Sequence, residues 1–192
     1  MTSTTLPARP NGVDTATLFA TLDAVRAQPG LAKFQFRATT EWVSGTHNTS
    51  TIHGFHGAGG EQTHQRAFTI EADHPAVLVG EDHAPTPAEH LLQALGSCLM
   101  SGLANIAAAR GIALDGVTAH VEGDIDLLGI LGLDDSVRNG FSGITVTFEV
   151  AGDGDADQLA RLVDQAVKRS AVYDVITHGV AVAVRAEGRP RS

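Results

Sequence analysis

Cysteine is nearly missing from this chain: of 192 residues only Cys98 carries a thiol. One thiol cannot close an internal disulfide, so nothing in the sequence asks for an oxidising compartment, and a cytoplasmic location is expected. Positive charge is also scarce. Thirteen Lys and Arg stand against 22 Asp and Glu, for a formal net charge of -9, which argues against nucleic acid or an anionic membrane as a partner. Residues 1–12 carry only Arg9 and no apolar run of signal-peptide length, and they read as a frayed tail. There is no internal repeat and no low-complexity linker. A hydrophobic content of 43% suffices for one core of respectable size without a second domain.

Charge is absent altogether between His90 and Arg110. A stretch of that length raises the question of a membrane span, but Gln93, Ser97, Ser101 and Asn105 interrupt it, and the strands elsewhere need something to cover them. A buried helix in a soluble core is therefore expected. Thr86 as N-cap, Pro87 at the first helical position and Glu89 closing a capping box mark its start. Arg110 in the last turn and Gly111 as a left-handed cap mark its end. Such a helix of about 24 residues spans roughly 36 Å, longer than a small monomeric domain needs, so it is expected to extend into a partner subunit. At helical spacing Cys98 shares a face with Leu91, Ala94, Leu95 and Gly102. Gly96, Ser97, Ser101 and Ala104 make a neighbouring face of small side chains against which another helix should lie.

Strand signals surround this helix. Residues 32–43 alternate Phe34 and Phe36 with Lys33, Gln35 and Arg37. Shorter candidates at 49–55 and 66–71 are separated by a glycine-rich turn at 56–60, which together suggest an antiparallel meander. After the helix, 117–127 and 144–150 read as strands, 155–170 as an amphipathic helix, and 180–186 as a closing strand. A further helix is expected at 14–28, stopped by Pro29-Gly30. The division that follows is a tail and helix over 1–30 and a folded domain over 31–188.

Cys98 is where chemistry would sit. A thiol is nucleophilic only as thiolate, which an apolar helix disfavours unless a cation lies close by, so by helix context alone the residue reads as a small core hydrophobe. Nine histidines invite a metal reading through His53, His56 and His64. Strand spacing puts the first two on opposite faces, and no cysteine or nearby carboxylate completes a ligand set, so no metal is expected.

A resemblance shifts the balance at Cys98. The stretch from Pro85 to Gly111, with its P-x-E-x-L-L-x-A-L-x-x-C core and its Ala-Arg-Gly-Ile end, resembles the central helix of the OsmC/Ohr family, the osmotically induced and organic hydroperoxide resistance proteins. Residues 122–129 and 168–174, Trp42-Val43-Ser44-Gly45 and 78–82 fit one OsmC-like subfamily at compatible spacing, so the likeness covers about residues 32–187. It implies an α+β fold in which a pair of long central helices is covered by antiparallel sheets from two intertwined chains, that is, a homodimer. Family membership fixes fold better than activity.

The resemblance also implies a chemistry, and the departures from it shape what is expected. In the peroxidase members, the cysteine matching Cys98 attacks a peroxide and is resolved by a second cysteine in the late helix, a place held here by Ser170. Those enzymes use a glutamate and an arginine as helpers. Glu89 lies one residue from the glutamate position and also serves as a helix cap. His47 stands near the first turn where a cation is expected, with Arg37 and Arg66 as substitutes. Leu95, Gly102 and Tyr173 are the expected substrate contacts, although Tyr173 and Asp174 also read as caps of the turn after the last helix. Two functions stay open: a one-cysteine peroxidase for organic hydroperoxides, without cofactor and recycled by an external thiol, or a non-catalytic dimer holding a small apolar ligand at its interface.

Overall fold

Helices in this chain start where a side chain can take up their first free amides, and strands form where a neighbouring strand pairs with them. The computed structural model describes residues 10–188. In chain order they form α1 (Thr15–Ala27), β1 (Thr39–Ser44), β2 (His47–Gly57), β3 (Gly60–Ala72), α2 (Pro87–Arg110), β4 (Leu114–Ile125), α3 (Leu127–Ile130), β5 (Phe141–Gly152), α4 (Ala156–Lys168) and α5 (Ala171–His178). The strands make two antiparallel sheets, β1-β2-β3 and β4-β5, so the α+β class is as the sequence implied.

The central helix matches its signals residue for residue. Thr86 Oγ1 accepts from the Glu89 amide, the Glu89 carboxylate accepts the Thr86 amide at 2.7 Å, and Gly111 ends the helix at φ 68°. Length and composition would let α2 cross a bilayer, but its ridge of Leu95, Leu99, Leu103 and Ile106 is buried within the protein. Leu103, Ile106 and Ala107 meet Leu162 and Ala166 of α4, walled by Val117 of β4 and by Phe148 and Val150 of β5. This core is built from the alternation expected at 144–150, whose inward side chains are the less exposed ones.

The small-residue face of α2 is divided among different neighbours. A Cβ at Gly96 would lie 3.2 Å from Val121 of β4, and one at Gly102 would lie 3.6 Å from the Ala166 Cβ of α4. Ser97 and Ser101 stay exposed, so no single helix of this chain covers the face.

Four expectations need correction. Residues 32–38 are not strand: Gln35 makes one isolated bridge to His56, the β1–β2 ladder begins only at Thr39, and between them Arg37 bonds to Glu61. Residues 179–188 form no strand, since a strand exists only with a pairing partner and none among the described residues meets them. Their alternate residues Val180, Val182 and Val184 are 65%, 79% and 89% exposed. The late helix ends at Lys168 and a second, α5, starts after Ser170. Of the supposed tail, residues 1–9 lie outside the described residues, while Asn11 is anchored by bonds to the Ile112 carbonyl at 2.9 Å and the Leu114 amide at 2.8 Å.

The path from β3 into α2 is tied by one carboxylate. Asp73 is 1% exposed; its Oδ1 accepts from Thr46 Oγ1 at 2.5 Å and the His74 amide, and its Oδ2 accepts from the Glu81 and His83 amides and from His83 Nδ1. The Thr46 hydroxyl first, then the backbone amides and the His83 ring, hold its pKa well below the usual carboxylate range and outweigh the opposing effect of burial.

Two outcomes follow for stability. Leu103→Ala, at a side chain with 0% exposure, should cost about 2–5 kcal/mol, read as a lower denaturant midpoint at unchanged slope. Because the Asp73 pKa is depressed by folding, its contribution is complete above the unfolded value of about 3.9 and fades as pH falls below it. Asp73→Asn should therefore lower the melting temperature at pH 7 and flatten its fall between pH 5 and pH 2; equally steep acid profiles would place the acid sensitivity elsewhere.

Candidate functional site

The crossing of α2 and α4 decides what Cys98 touches. Gly102 has no side chain, so α4 approaches closely there and Ala166 lies against it. One turn back along α2 is Cys98, and one turn on from Ala166 is Ser170. The helices run in opposite senses, so the two residues meet: Ser170 Oγ–H donates to Cys98 Sγ at 3.1 Å. Ser170 is buried at 6% exposure and also N-caps α5, its Oγ accepting from the Tyr173 amide at 3.1 Å. Cys98 itself is half-buried.

A cleft of about 690 Å³ is lined by Leu95 and Leu99 of α2 and Tyr173 of α5, sequence neighbours of Cys98 and Ser170, although neither Cys98 nor Ser170 lines it. Leu91, Leu95 and Leu99 of α2 form one wall, Phe141, Ile144, Val146 and Phe148 of β5 another, and Tyr173 with Ile176 of α5 a third. Arg138, in the loop before β5, is the one charged residue among those lining it. The volume is that of a small-molecule site, and the lining suits an apolar ligand.

Of the expected substrate contacts, Leu95 and Tyr173 line this cleft, whereas Gly102 is turned toward α4 and acts through packing. The expected helpers sit elsewhere in the chain. Glu89 is engaged by Thr86, whose amide and hydroxyl lower its pKa, nine residues or about 13 Å along α2 from Cys98. Arg37 Nη2 donates to both Glu61 carboxylate oxygens, at 2.7 and 2.8 Å, and this hydrogen bonding lowers the Glu61 pKa. Arg66 lies over the Phe68 ring at 5.6 Å. His47 stacks on His83 at 4.9 Å between centroids, with its Nε2 4.0 Å from Glu71 Oε1. Among the described residues, Cys98 has no hydrogen bond or ion pair with Glu89, His47, Arg37 or Arg66.

Two other histidines of the first sheet have local partners, whereas the buried His47 Nε2 has no hydrogen-bond partner among the described residues. His56 Nδ1 meets Glu61 at 3.3 Å, and His64 packs between Phe55 and Phe68. No three His, Cys, Asp or Glu among the described residues are arranged to hold a metal ion. Asp73 and α5 are the elements that sequence reasoning missed. The partners of Asp73 come from 46 to 83 in the chain, so no local pattern signals it, whereas Ser170 three residues before Tyr173 is a cap signal that could have revealed α5.

Comparison with known proteins agrees with this architecture. An OsmC-like protein from Mycoplasma pneumoniae superposes with a TM-score of 0.56 at 15% identity, over 74% of this chain and 86% of that one. An OsmC-like protein of unknown function from Vibrio cholerae gives 0.53 at 15% identity, over 74% and 94%. An organic hydroperoxide resistance protein OsmC from Legionella pneumophila gives 0.51 at 16% identity, over 75% and 91%. At these identities the likeness is one of fold. No curated protein matches the chain in sequence. The model of the OsmC-like protein family matches residues 80–185, more than half of the chain and a stretch that includes both Cys98 and Ser170, so the chain belongs to the OsmC-like family.

Proposed function

We propose that this protein is a thiol peroxidase that reduces organic hydroperoxides through Cys98 alone and works as a homodimer. The observation that carries the reading is the Cys98–Ser170 contact, which gives the one thiol a proton donor; it is supported by an apolar cleft lined by Leu95, Leu99 and Tyr173 that could hold an organic group. The Cys98 thiolate attacks one peroxide oxygen, the O–O bond breaks, and the alkoxide leaves and takes up a proton to become the alcohol. Sulfur is thereby oxidised to sulfenic acid. With Ser170 in place of a second thiol, no internal disulfide can form. A low-molecular-weight thiol then attacks the sulfenic sulfur, releasing water and leaving a mixed disulfide, and a second thiol frees Cys98 as it becomes part of a disulfide itself.

Dimerisation is supported by what one chain leaves uncovered. Phe36 and Trp42 are each 75% exposed, and the valines of 179–188 alternate without a pairing strand. The cation that a thiolate favours is also not at hand within one chain, where Arg37 and His47 face Glu61 and Glu71. A second chain would both cover the apolar surface and bring its own Arg37 or His47 within reach of Cys98. The runner-up reading, a non-catalytic dimer holding an apolar ligand, is favoured by the same cleft if no cation reaches the sulfur.

Light scattering at micromolar concentration should give about 40 kDa, twice the chain's 20.0 kDa; a folded monomer would remove the dimeric site. One equivalent of an organic hydroperoxide should leave a sulfenic acid at Cys98 that dimedone traps, and a small thiol should restore the free cysteine. In Ser170→Cys the adduct should give way to an internal disulfide, because the side-chain atoms already stand 3.1 Å apart. A folded wild-type dimer that yields no adduct would leave the ligand-binding reading.

A further inference from the structure

The peroxidase reading leaves a gap at Ser170: a residue that cannot resolve a sulfenic acid is nevertheless buried against the sulfur. We propose that Ser170 is a positioning residue for the Cys98 thiolate, its hydroxyl held by α5 so that the proton points at the sulfur and favours the charged form.

Three observations support this. First, the hydroxyl's acceptor side is occupied. Ser170 Oγ accepts the Tyr173 amide at 3.1 Å, so its own proton is directed away from α5 and toward Sγ, also 3.1 Å distant. A thiolate accepts such a bond far better than a thiol does, so the contact stabilises the ionised state selectively. Second, the donor is the N-cap of an eight-residue helix. The amides of the first turn of α5 and the positive end of its dipole lie behind the hydroxyl and polarise it further. Third, the bond is protected. Ser170 is 6% exposed, so water does not compete with it as it would at the surface.

Among the described residues, Ser170 Oγ is the group that hydrogen-bonds to the sulfur. On the α2 side there is no charged residue between His90 and Arg110. On the α4 and α5 side Lys168, Arg169 and Asp174 are exposed to solvent. The hydroxyl sits on a short side chain at the N-cap of α5, one turn from where Gly102 and Ala166 bring α2 and α4 together. A site that elsewhere serves resolution would here serve activation.

The inference rests on Cys98 being the nucleophile, so its test separates thiolate stabilisation from peroxide turnover. Alkylation of Cys98 by iodoacetamide is followed from pH 5 to pH 10 in the wild-type dimer and in Ser170→Ala, Ser170→Gly and Ser170→Thr, with thermal melts alongside. Glycine keeps most of an N-cap's worth but has no hydroxyl, and threonine keeps both the cap and the donor. Ala and Gly should slow alkylation at pH 7 by about tenfold and move the profile to higher pH, as expected for loss of one hydrogen bond to a charged group, while Thr should stay near wild type. Unchanged rates in folded Ser170→Gly would overturn the inference, as would a Ser170→Thr variant as slow as Ser170→Ala. Rates with an organic hydroperoxide are read in parallel. If the alkylation profile shifts as stated but the wild type does not react with peroxide, Ser170 tunes the thiol and the peroxidase reading fails alone. If peroxide reacts at the same rate in all four proteins, the inference about Ser170 fails alone.

Discussion

The long helix α2 has to bury one face of 24 residues, and the rest of the structure follows from how that is done. The Leu95–Leu99–Leu103 ridge is the part that α4, β4 and β5 can cover together. Cys98 immediately precedes Leu99 and is rotated about 100° from it around the helix, so it sits at the border of the buried ridge. That border position is why the thiol is half-buried and why its neighbour is the α4–α5 junction rather than the centre of the core. Next to that junction Gly102 faces Ala166, and a Cβ there would stand 3.6 Å from the Ala166 Cβ, an ordinary contact, so the helices pack closely at the crossing without excluding a methyl group.

Electrostatics within one chain follow a different plan from the one a reactive thiol calls for. Basic side chains near the first sheet have local partners: Arg37 pairs with Glu61, and the His83 ring bonds to Asp73. Arg110, at the end of α2, bonds to Gln165. What the chain gives to Cys98 is a neutral hydroxyl, a weaker partner than a guanidinium but one with a fixed direction. Under the proposed dimer the two contributions are complementary. The hydroxyl would orient the sulfur from within its own chain, and a cation from the other chain would supply charge.

Features encoded by neighbours in sequence were legible, and those that depend on distant or missing partners were not. The α2 boundaries were readable because Thr86, Glu89 and Gly111 act within four residues of the groups they satisfy. The inward face of β5 was readable for the same reason, through strict alternation from Ile144 to Val150. Strand identity at 32–38 and 180–186 was not, because alternation says only that a segment could pair, and pairing needs an edge that the chain does not offer there. The helix α5 was hidden by its β-branched residues Val172, Val175, Ile176 and Thr177, whose weak helix preference is overridden by the Ser170 cap and by packing on α2. The nearness of Ser170 to Cys98 followed from family pattern alone, since the helix crossing that produces it links positions 72 residues apart.

A single-cysteine design changes what the cleft has to admit. With a resolving thiol inside the chain, reduction begins internally and the nucleophile can be closed off after the peroxide leaves. Without one, the sulfenic acid has to wait for a thiol from solution, and that reductant needs a path to the sulfur. Leu95, Leu99 and Tyr173 border both the cleft and the surroundings of Cys98, so under the proposed mechanism the same opening serves peroxide and reductant in turn. Its apolar lining then favours an organic peroxide over hydrogen peroxide, and it equally disfavours a strongly charged reductant. Arg138 at the lining is the one feature that offsets the second bias, because its guanidinium can neutralise a carboxylate carried by either molecule. Under the proposed mechanism Ser170 and the apolar walls of the cleft are therefore linked: each limits which molecules can complete the cycle.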